Sequence, residues 1–550
     1  MRRDGKLLGA SAAPGRPDPA GQVRHAAGES QQAAGDPPGA AEAAPGIERG
    51  SARAGAPEQA ARAAAPEQAA RAAVPEQAAR AGLQDQAARA DRVPWLIALA
   101  VFAAYLPISV FRYLRLDPTS WDLGIFTEYV KQYAHLHAPI VDVRGAGVNL
   151  LGDHFHPIAA LIAPFFRVFP SPVTLLVAQA LLAAVSVIPV SRAAADMLGT
   201  GAGRAIGAAY GFSWGLQQMV NYDFHEIAFA VPLLACSLSA LVRGRTRAAV
   251  LWALPLVFVK EDQGFTVAAI GVIMALSYKR RGAGLLLTVW GLAWSFLAIT
   301  VIIPHFSPTH QYLYWSDGGS LSPVGGHLSV AGLVSQLTTG ASTKLPTLVM
   351  ILLPTAFIAL RSPLVLAAVP SLVLRFLGTN SSYWGTNWHY NATVMPIVFI
   401  AAVEALAGIL AEREPGRLAV ALERHGAAMM LAIAAALAFQ FPLSSLWSPQ
   451  TYSIDRHVAA ARSALARVPD GAAVATDLDL LAPLAPRTDT FWLGNQGNPA
   501  TKYVVFDTAS TDWQPPPRNV LAFVESLNHG ARYRQIYVND GVYVFIRAGR

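Results

Sequence analysis

Long apolar blocks separated by short polar turns occupy most of this chain. They fall at about 94–111, 172–191, 204–219, 226–242, 248–259, 263–278, 283–303, 345–360, 363–378, 392–410 and 426–443. Each approaches the roughly 17–25 residues of a membrane-spanning helix, which predicts about eleven transmembrane helices. The turns between them are of two kinds. Arg192 and Arg204 mark one turn, Arg243, Arg245 and Arg247 the next, then Lys279, Arg280 and Arg281, then Arg361, then Arg413, Arg417 and Arg424. Alternating with these are turns bearing acids and histidines: 221–226, 260–263, 304–344 and 380–391. The positive-inside rule then places the N-terminus in the cytoplasm and the acidic turns and the C-terminus outside. By parity, Ile158–Phe169 stays on the outer side, as an interfacial helix or an extension of the next span.

The two flanks depart from this pattern. Residues 1–92 are rich in Ala, Gly, Pro, Gln and Arg, with a nine-residue repeat around Gln59, Gln68 and Gln77. So few large apolar groups cannot offset ordering entropy, and a disordered cytoplasmic tail is expected. Residues 93–445 form the expected transmembrane domain, with an interfacial outer loop over 112–170. Residues 446–550 alternate short β-rich runs with helical stretches, and Asn539–Gly541 carries a hairpin signal. A small extracytoplasmic α/β domain is expected there.

Composition sharpens the class. Of 550 residues, 53% are hydrophobic and 14% charged. Mean hydropathy is +0.36. The fold class is therefore an α-helical polytopic membrane protein. The net charge of +7 does not point to nucleic acid, because the arginines concentrate in short loops. Cys236 lies alone inside an apolar block, so no intramolecular disulfide is expected.

Ionisable groups inside a bilayer are costly and tend to be functional, and here they collect at the predicted outer ends. The stretch Ser120–Pro157 is the densest. Leu123, Phe126, Tyr129, Val130 and Tyr133 recur at helical spacing, predicting an amphipathic helix on the membrane surface with Asp122 at its start. Asp122 reads equally as a helix-capping acid. Glu128 falls off the apolar stripe and is expected to be solvated. His154 and His156, with Asp153, could ligate a divalent metal or simply bond the backbone. Asp223, His225 and Glu226 open a helix, either as caps or for metal or phosphate chemistry. Lys260, Glu261 and Asp262 interrupt an apolar run where a plain turn would use Gly, Asn or Pro. Lys260 could neutralise a phosphate, and Glu261 or Asp262 could hold Lys260 or a metal. Arg375 suits phosphate oxygens. The aromatics Tyr383, Trp384 and Trp388, beside His389, could stack on sugars or belt the interface. His305 and His310 are weaker candidates.

In their order, SWDLGIF, GDHFHPIAALIAPFF, NYDFHEIAFAVPLL and FVKEDQGF resemble a bacterial domain-of-unknown-function family of polytopic membrane proteins. The resemblance covers about residues 94–550. That family looks distantly related to GT-C glycosyltransferases of the protein mannosyltransferase and aminoarabinose transferase type. The resemblance implies a GT-C-like fold that moves a sugar from a polyprenyl-phosphate donor in the membrane lipid to an extracytoplasmic acceptor. Asp122 would be the general base or acceptor-orienting acid. Asp223, His225 and Glu226 would assist with a divalent metal or phosphate, and Lys260 and Arg375 would contact phosphate. Asp122 lacks the paired acid of better-known members, since its neighbours are Trp121 and Leu123. Two rival classes are a transporter or flippase, which would place its polar groups at mid-depth, and a non-catalytic scaffold.

Overall fold

A computed structural model describes residues 91–117, 121–314, 330–412, 414 and 416–549. All but the last two residues of the expected tail lie outside that range, as does part of the 304–344 loop. Helices dominate up to Ala438, and a small sheet follows. Among the described residues, five helices are long and apolar enough to cross a membrane: Val93–Leu114, Pro172–Leu198, Arg281–Phe306, His389–Leu410 and Arg417–Ala438. Glu226–Val242, Thr246–Phe258, Gln263–Leu276 and Pro363–Leu377 are shorter apolar helices, and Pro157–Val168 is a short one separate from the next span.

Length alone thus supports fewer spans than the eleven expected, and two of the differences have local causes. Block 204–219 is broken at Ser213, whose extended backbone separates Thr200–Gly211 from Trp214–Asn221. Block 345–360 ends early because Ala356 and Phe357 take left-handed φ values of 48° and 62°. A right-handed helix does not run through such residues.

Val394–Leu410 is apolar except at Glu404 and buried along nearly its whole length, as a central helix must be. The peripheral helices instead expose large apolar side chains, among them Leu96, Leu99, Leu285, Val289 and Phe296. So broad an apolar surface suits lipid rather than water. Gln263–Leu276 and Arg281–Leu297 approach closely where Gly264 faces Gly291, and a Cβ on either glycine would run into the other's backbone. Small residues permit this backbone contact between membrane helices. It fixes the 260–262 turn at the head of the pair, where Ser295 Oγ donates to the Glu261 carbonyl at 2.6 Å.

The C-terminal sheet has the order β2-β1-β3-β5-β4. Its strands are β1 Ala473–Thr476, β2 Asp489–Trp492, β3 Tyr503–Asp507, β4 Tyr533–Asn539 and β5 Val542–Arg547. The first three are parallel and β5 runs antiparallel to β3. Period-2 alternation sends Val474, Val505, Val542 and Val544 to one face and Ala475, Val504, Phe506 and Phe545 to the other. Each face is covered, by Arg456–Leu465 and Val520–Leu527 respectively. The hairpin expected at Asn539–Gly541 joins β4 to β5, with Asp540 at φ 46° and Gly541 at φ 78°, the paired positive values of a type I′ turn.

This α/β segment packs on the helix Asp122–Ala134. Gly124 makes room for it, since a Cβ there would lie 2.9 Å from Leu481 Cβ. Lys131 Nζ donates to the carbonyls of Ala485 at 2.8 Å and Thr488 at 2.9 Å.

Candidate functional site

Asp122 lies in the first turn of its helix, and Tyr222, a hundred residues on, donates its hydroxyl to Asp122 Oδ2 at 2.6 Å. That contact joins the first polar motif to the second. Tyr222 sits beside His389, ring centres 4.7 Å apart, and His389 stacks on His225 at 3.7 Å. His225 Nδ1 is 2.7 Å from Glu226 Oε2, and Lys260 Nζ is 3.3 Å from Glu226 Oε1. Glu226 is fully buried, so its charge rests on these two neighbours.

The next residue continues the chain of contacts. Glu261 takes His154 Nδ1 at 2.7 Å, the Tyr312 hydroxyl at 2.9 Å and the Phe155 amide at 3.0 Å. Burial opposes its ionisation, but the His154 imidazole and its hydrogen bond, with Lys260, outweigh that and hold the carboxyl down at about 2. His154 is raised in turn, because Glu261 outweighs burial and the repulsion of Lys260. Burial also disfavours the Lys260 ammonium, yet Glu226, Glu261 and Asp262 keep it charged well above the usual lysine range. Among the described residues His156 has no such close partner, and burial takes it down to about 4. At neutral pH one imidazole of the pair is therefore neutral while its neighbour is biased toward charge.

These residues line one cavity of about 310 Å3. Asp122, His154, His156, His225, Glu226, Lys260, Glu261, Asp262, Arg375 and His389 all face it. Motifs scattered over more than 260 positions thus converge. Asp223 is not among the lining residues. It takes a positive φ of 74°, which turns it away, and it lies within electrostatic reach of Arg112. Gln179 pins that turn, accepting from the His225 amide at 3.1 Å and donating to the Asp223 carbonyl. His305 and His310 are exposed and off the cavity.

Three expectations change on contact with the structure. Arg375 lines the cavity, but its guanidinium donates to the carbonyls of Tyr383, Tyr390 and Gly385 and to Asn391 Oδ1, at 3.0–3.4 Å. Four of its five N–H donors therefore hold the 383–391 loop. Glu128 is buried rather than solvated. It accepts the Val143 amide at 3.0 Å, and burial pushes its carboxyl up to about 8. Ionisable groups are also not confined to the predicted outer ends: Glu404 lies inside the His389–Leu410 helix, where Tyr278 and Ser362 donate to it.

A divalent metal was one expectation for these donors. Among the described residues no group of three or more His, Cys, Asp or Glu side chains is placed to hold one. The cavity's two most buried carboxylates, Glu226 and Glu261, already face Lys260, His225 and His154, so the donor set does not fit a metal and no step is assigned to one.

Several further lining residues carry no motif of their own in the sequence. Trp121, Arg144, Tyr222, Tyr312, Tyr314 and Tyr390 face the cavity. Tyr314 stacks on His154 at 4.4 Å and donates to Asp153 at 3.1 Å. Aromatic residues in loops have no periodicity to mark them, although their density near histidines is a usable signal.

A family profile described as "Predicted membrane protein (DUF2079)" matches residues 112–544. Among solved structures, the chain is similar to ArnT from Cupriavidus metallidurans bound to undecaprenyl phosphate. Identity is 14% and TM-score 0.48, over 83% of this chain and 98% of that one. It is also similar to the Archaeoglobus fulgidus oligosaccharyltransferase in complex with Zn and sulfate. There identity is 12% and TM-score 0.40, over 82% of this chain and 73% of that one. No curated protein sequence matches the chain.

Proposed function

We propose that this chain, which belongs to the DUF2079 family of predicted membrane proteins, is a membrane glycosyltransferase of GT-C type. It moves a sugar from a polyprenyl-phosphate donor to an acceptor on the extracytoplasmic side. One observation carries the reading: a carboxylate, Asp122, and a half-buried ammonium, Lys260, line the same cavity at the ends of apolar helices. A transferase that releases a phosphate needs both groups, and a lipid-borne donor reaches such a place laterally.

In the reaction an acceptor hydroxyl attacks the anomeric carbon. The new carbon–oxygen bond forms as the bond to the phosphate oxygen breaks. Asp122 takes the hydroxyl proton, with the Tyr222 hydroxyl holding the carboxylate in place. Lys260 offsets the charge on the departing polyprenyl phosphate, a stabilisation that preorganised charges supply without rearrangement. His225, His389 and Glu226 keep Lys260 and Tyr222 positioned. In this reading the N-terminus is cytoplasmic, and the cavity and the C-terminal α/β segment are outside.

The test is transfer by the purified full chain from labelled polyprenyl-phosphate sugars, wild type against Asp122→Asn. Turnover that the variant lowers by 100-fold or more supports the assignment. Equal turnover by the two proteins removes Asp122 from the chemistry, and the failure of every donor counts against the whole reading.

A further inference from the structure

The cavity's cations are not equally available. Arg375 has four donors engaged by its own loop, and Lys260, which offsets charge on the departing phosphate, is a compact point charge shared with Glu226. Arg144 differs from both. Its Nε donates to Asp153 Oδ2 at 3.1 Å, and its guanidinium carbon lies 5.1 Å over the Trp121 ring. Among the described residues no acceptor meets its two terminal nitrogens. A third of its side chain is exposed, and it lines the cavity beside Asp122. The head of the guanidinium is thus anchored from behind and presented forward, in the planar fork that matches two oxygens of a phosphate.

We propose that Arg144 is the residue that grips a phosphate oxyanion in this cavity, through its two terminal nitrogens. The α/β segment holds it there. Asn495 Nδ2 donates to the Arg144 carbonyl at 3.3 Å, and Trp492 packs edge-on against Trp121 at 5.0 Å. That gives the C-terminal sheet a task in the site, since β2 ends at Trp492. The inference rests on the glycosyl-transfer reading, in which the phosphate is the lipid carrier's. A free phosphate would offer the same oxygens.

The test uses the full chain in nanodiscs and three probes: undecaprenyl phosphate, undecaprenol and inorganic phosphate. Wild type should bind undecaprenyl phosphate in preference to undecaprenol. Arg144→Gln should weaken the phosphate-bearing lipid by about 10- to 100-fold and leave undecaprenol unchanged, as expected for the loss of a charge-assisted pair. Arg144→Lys should recover part of the loss. Arg532→Gln, at an exposed arginine next to β4, on the sheet edge opposite β2, should change nothing. A second measurement needs no variant: phenylglyoxal should modify Arg144 in the wild type, read by mass spectrometry, and undecaprenyl phosphate should protect it while undecaprenol does not.

Retention of the full phosphate preference by Arg144→Gln, or modification unaffected by the phosphate lipid, overturns the assignment and leaves glycosyl transfer standing. A wild type with no preference for either phosphate probe removes both. Protection by inorganic phosphate as strong as by the lipid upholds the grip of Arg144 and refutes the lipid as its source.

Discussion

The Lys260–Glu226 pair offers the most direct physical test of how this cavity is held together. At 3.3 Å and an effective dielectric near 20, the gross attraction is about 5 kcal/mol. Two effects reduce what a measurement will see. Glu226 has left water and Lys260 has largely done so, which offsets part of the gain. Each also has other neighbours, Glu261 and Asp262 around Lys260 and His225 beside Glu226. The expected coupling in a double-mutant cycle is therefore about 2–3 kcal/mol. The single variants should differ. Lys260→Met leaves a fully buried carboxylate faced by His225 and, more weakly, His156 and should cost about 3–5 kcal/mol. Glu226→Gln leaves Lys260 with two acids and should cost less. The double variant should be more stable than Lys260→Met alone. Unfolding in mixed micelles, followed by tryptophan fluorescence as the denaturing detergent is raised, measures all four proteins. Strict additivity, with coupling below about 0.5 kcal/mol, would show that Lys260 and Glu226 do not form the buried pair described here.

Three further outcomes follow from the same contacts. Glu128 has a folded-state pKa near 8 against an unfolded value of 4.5, so its contribution is fully present below pH 4.5 and is lost as the pH rises through 8. The loss is on the order of 5 kcal/mol, and Glu128→Gln, which can still accept the Val143 amide, should flatten that slope in unfolding measured from pH 4.5 to 9. Gly124→Leu should drive a side chain into Leu481 and Ala482 and destabilise by about 1–3 kcal/mol or more, seen as protease cleavage between the helical and α/β segments at lower denaturant; unchanged cleavage would mean the two are not docked on Gly124. For the orientation, cysteines placed at the exposed positions Thr309 and Ser381 in a Cys236→Ala background should react with an impermeant maleimide from outside intact cells, and one at Arg280 only after permeabilisation; the reverse pattern inverts the proposed topology.

The site was legible in the sequence to the extent that a membrane restricts where charge can stand. Asp122, Glu226, Lys260 and His389 are far apart along the chain, yet each interrupts or ends an apolar block, and the ends of such blocks can meet only at a membrane rim. That restriction predicts a shared site without any long-range contact being known, and the four residues do line one cavity. The sequence pattern misjudges the role of individual groups wherever a loop folds back. Arg375 looked free because nothing in 383–391 announces that its carbonyls turn toward the guanidinium. Arg144 went unnoticed for the opposite reason: it stands in a glycine-rich stretch with no periodicity, and its anchoring depends on Asp153 and on Trp492, about 350 residues away through Trp121. Glu128 fell off the apolar stripe because that stripe describes a helix with one covered face, and this helix has two. Its second face is covered by Leu478–Leu484, and the only local sign of that was Gly124, an otherwise unfavourable residue inside a helix. A glycine of that kind, in a helix that begins on a candidate catalytic acid, is thus evidence that another part of the chain docks there, and in this protein the docked part is also the one that holds Arg144.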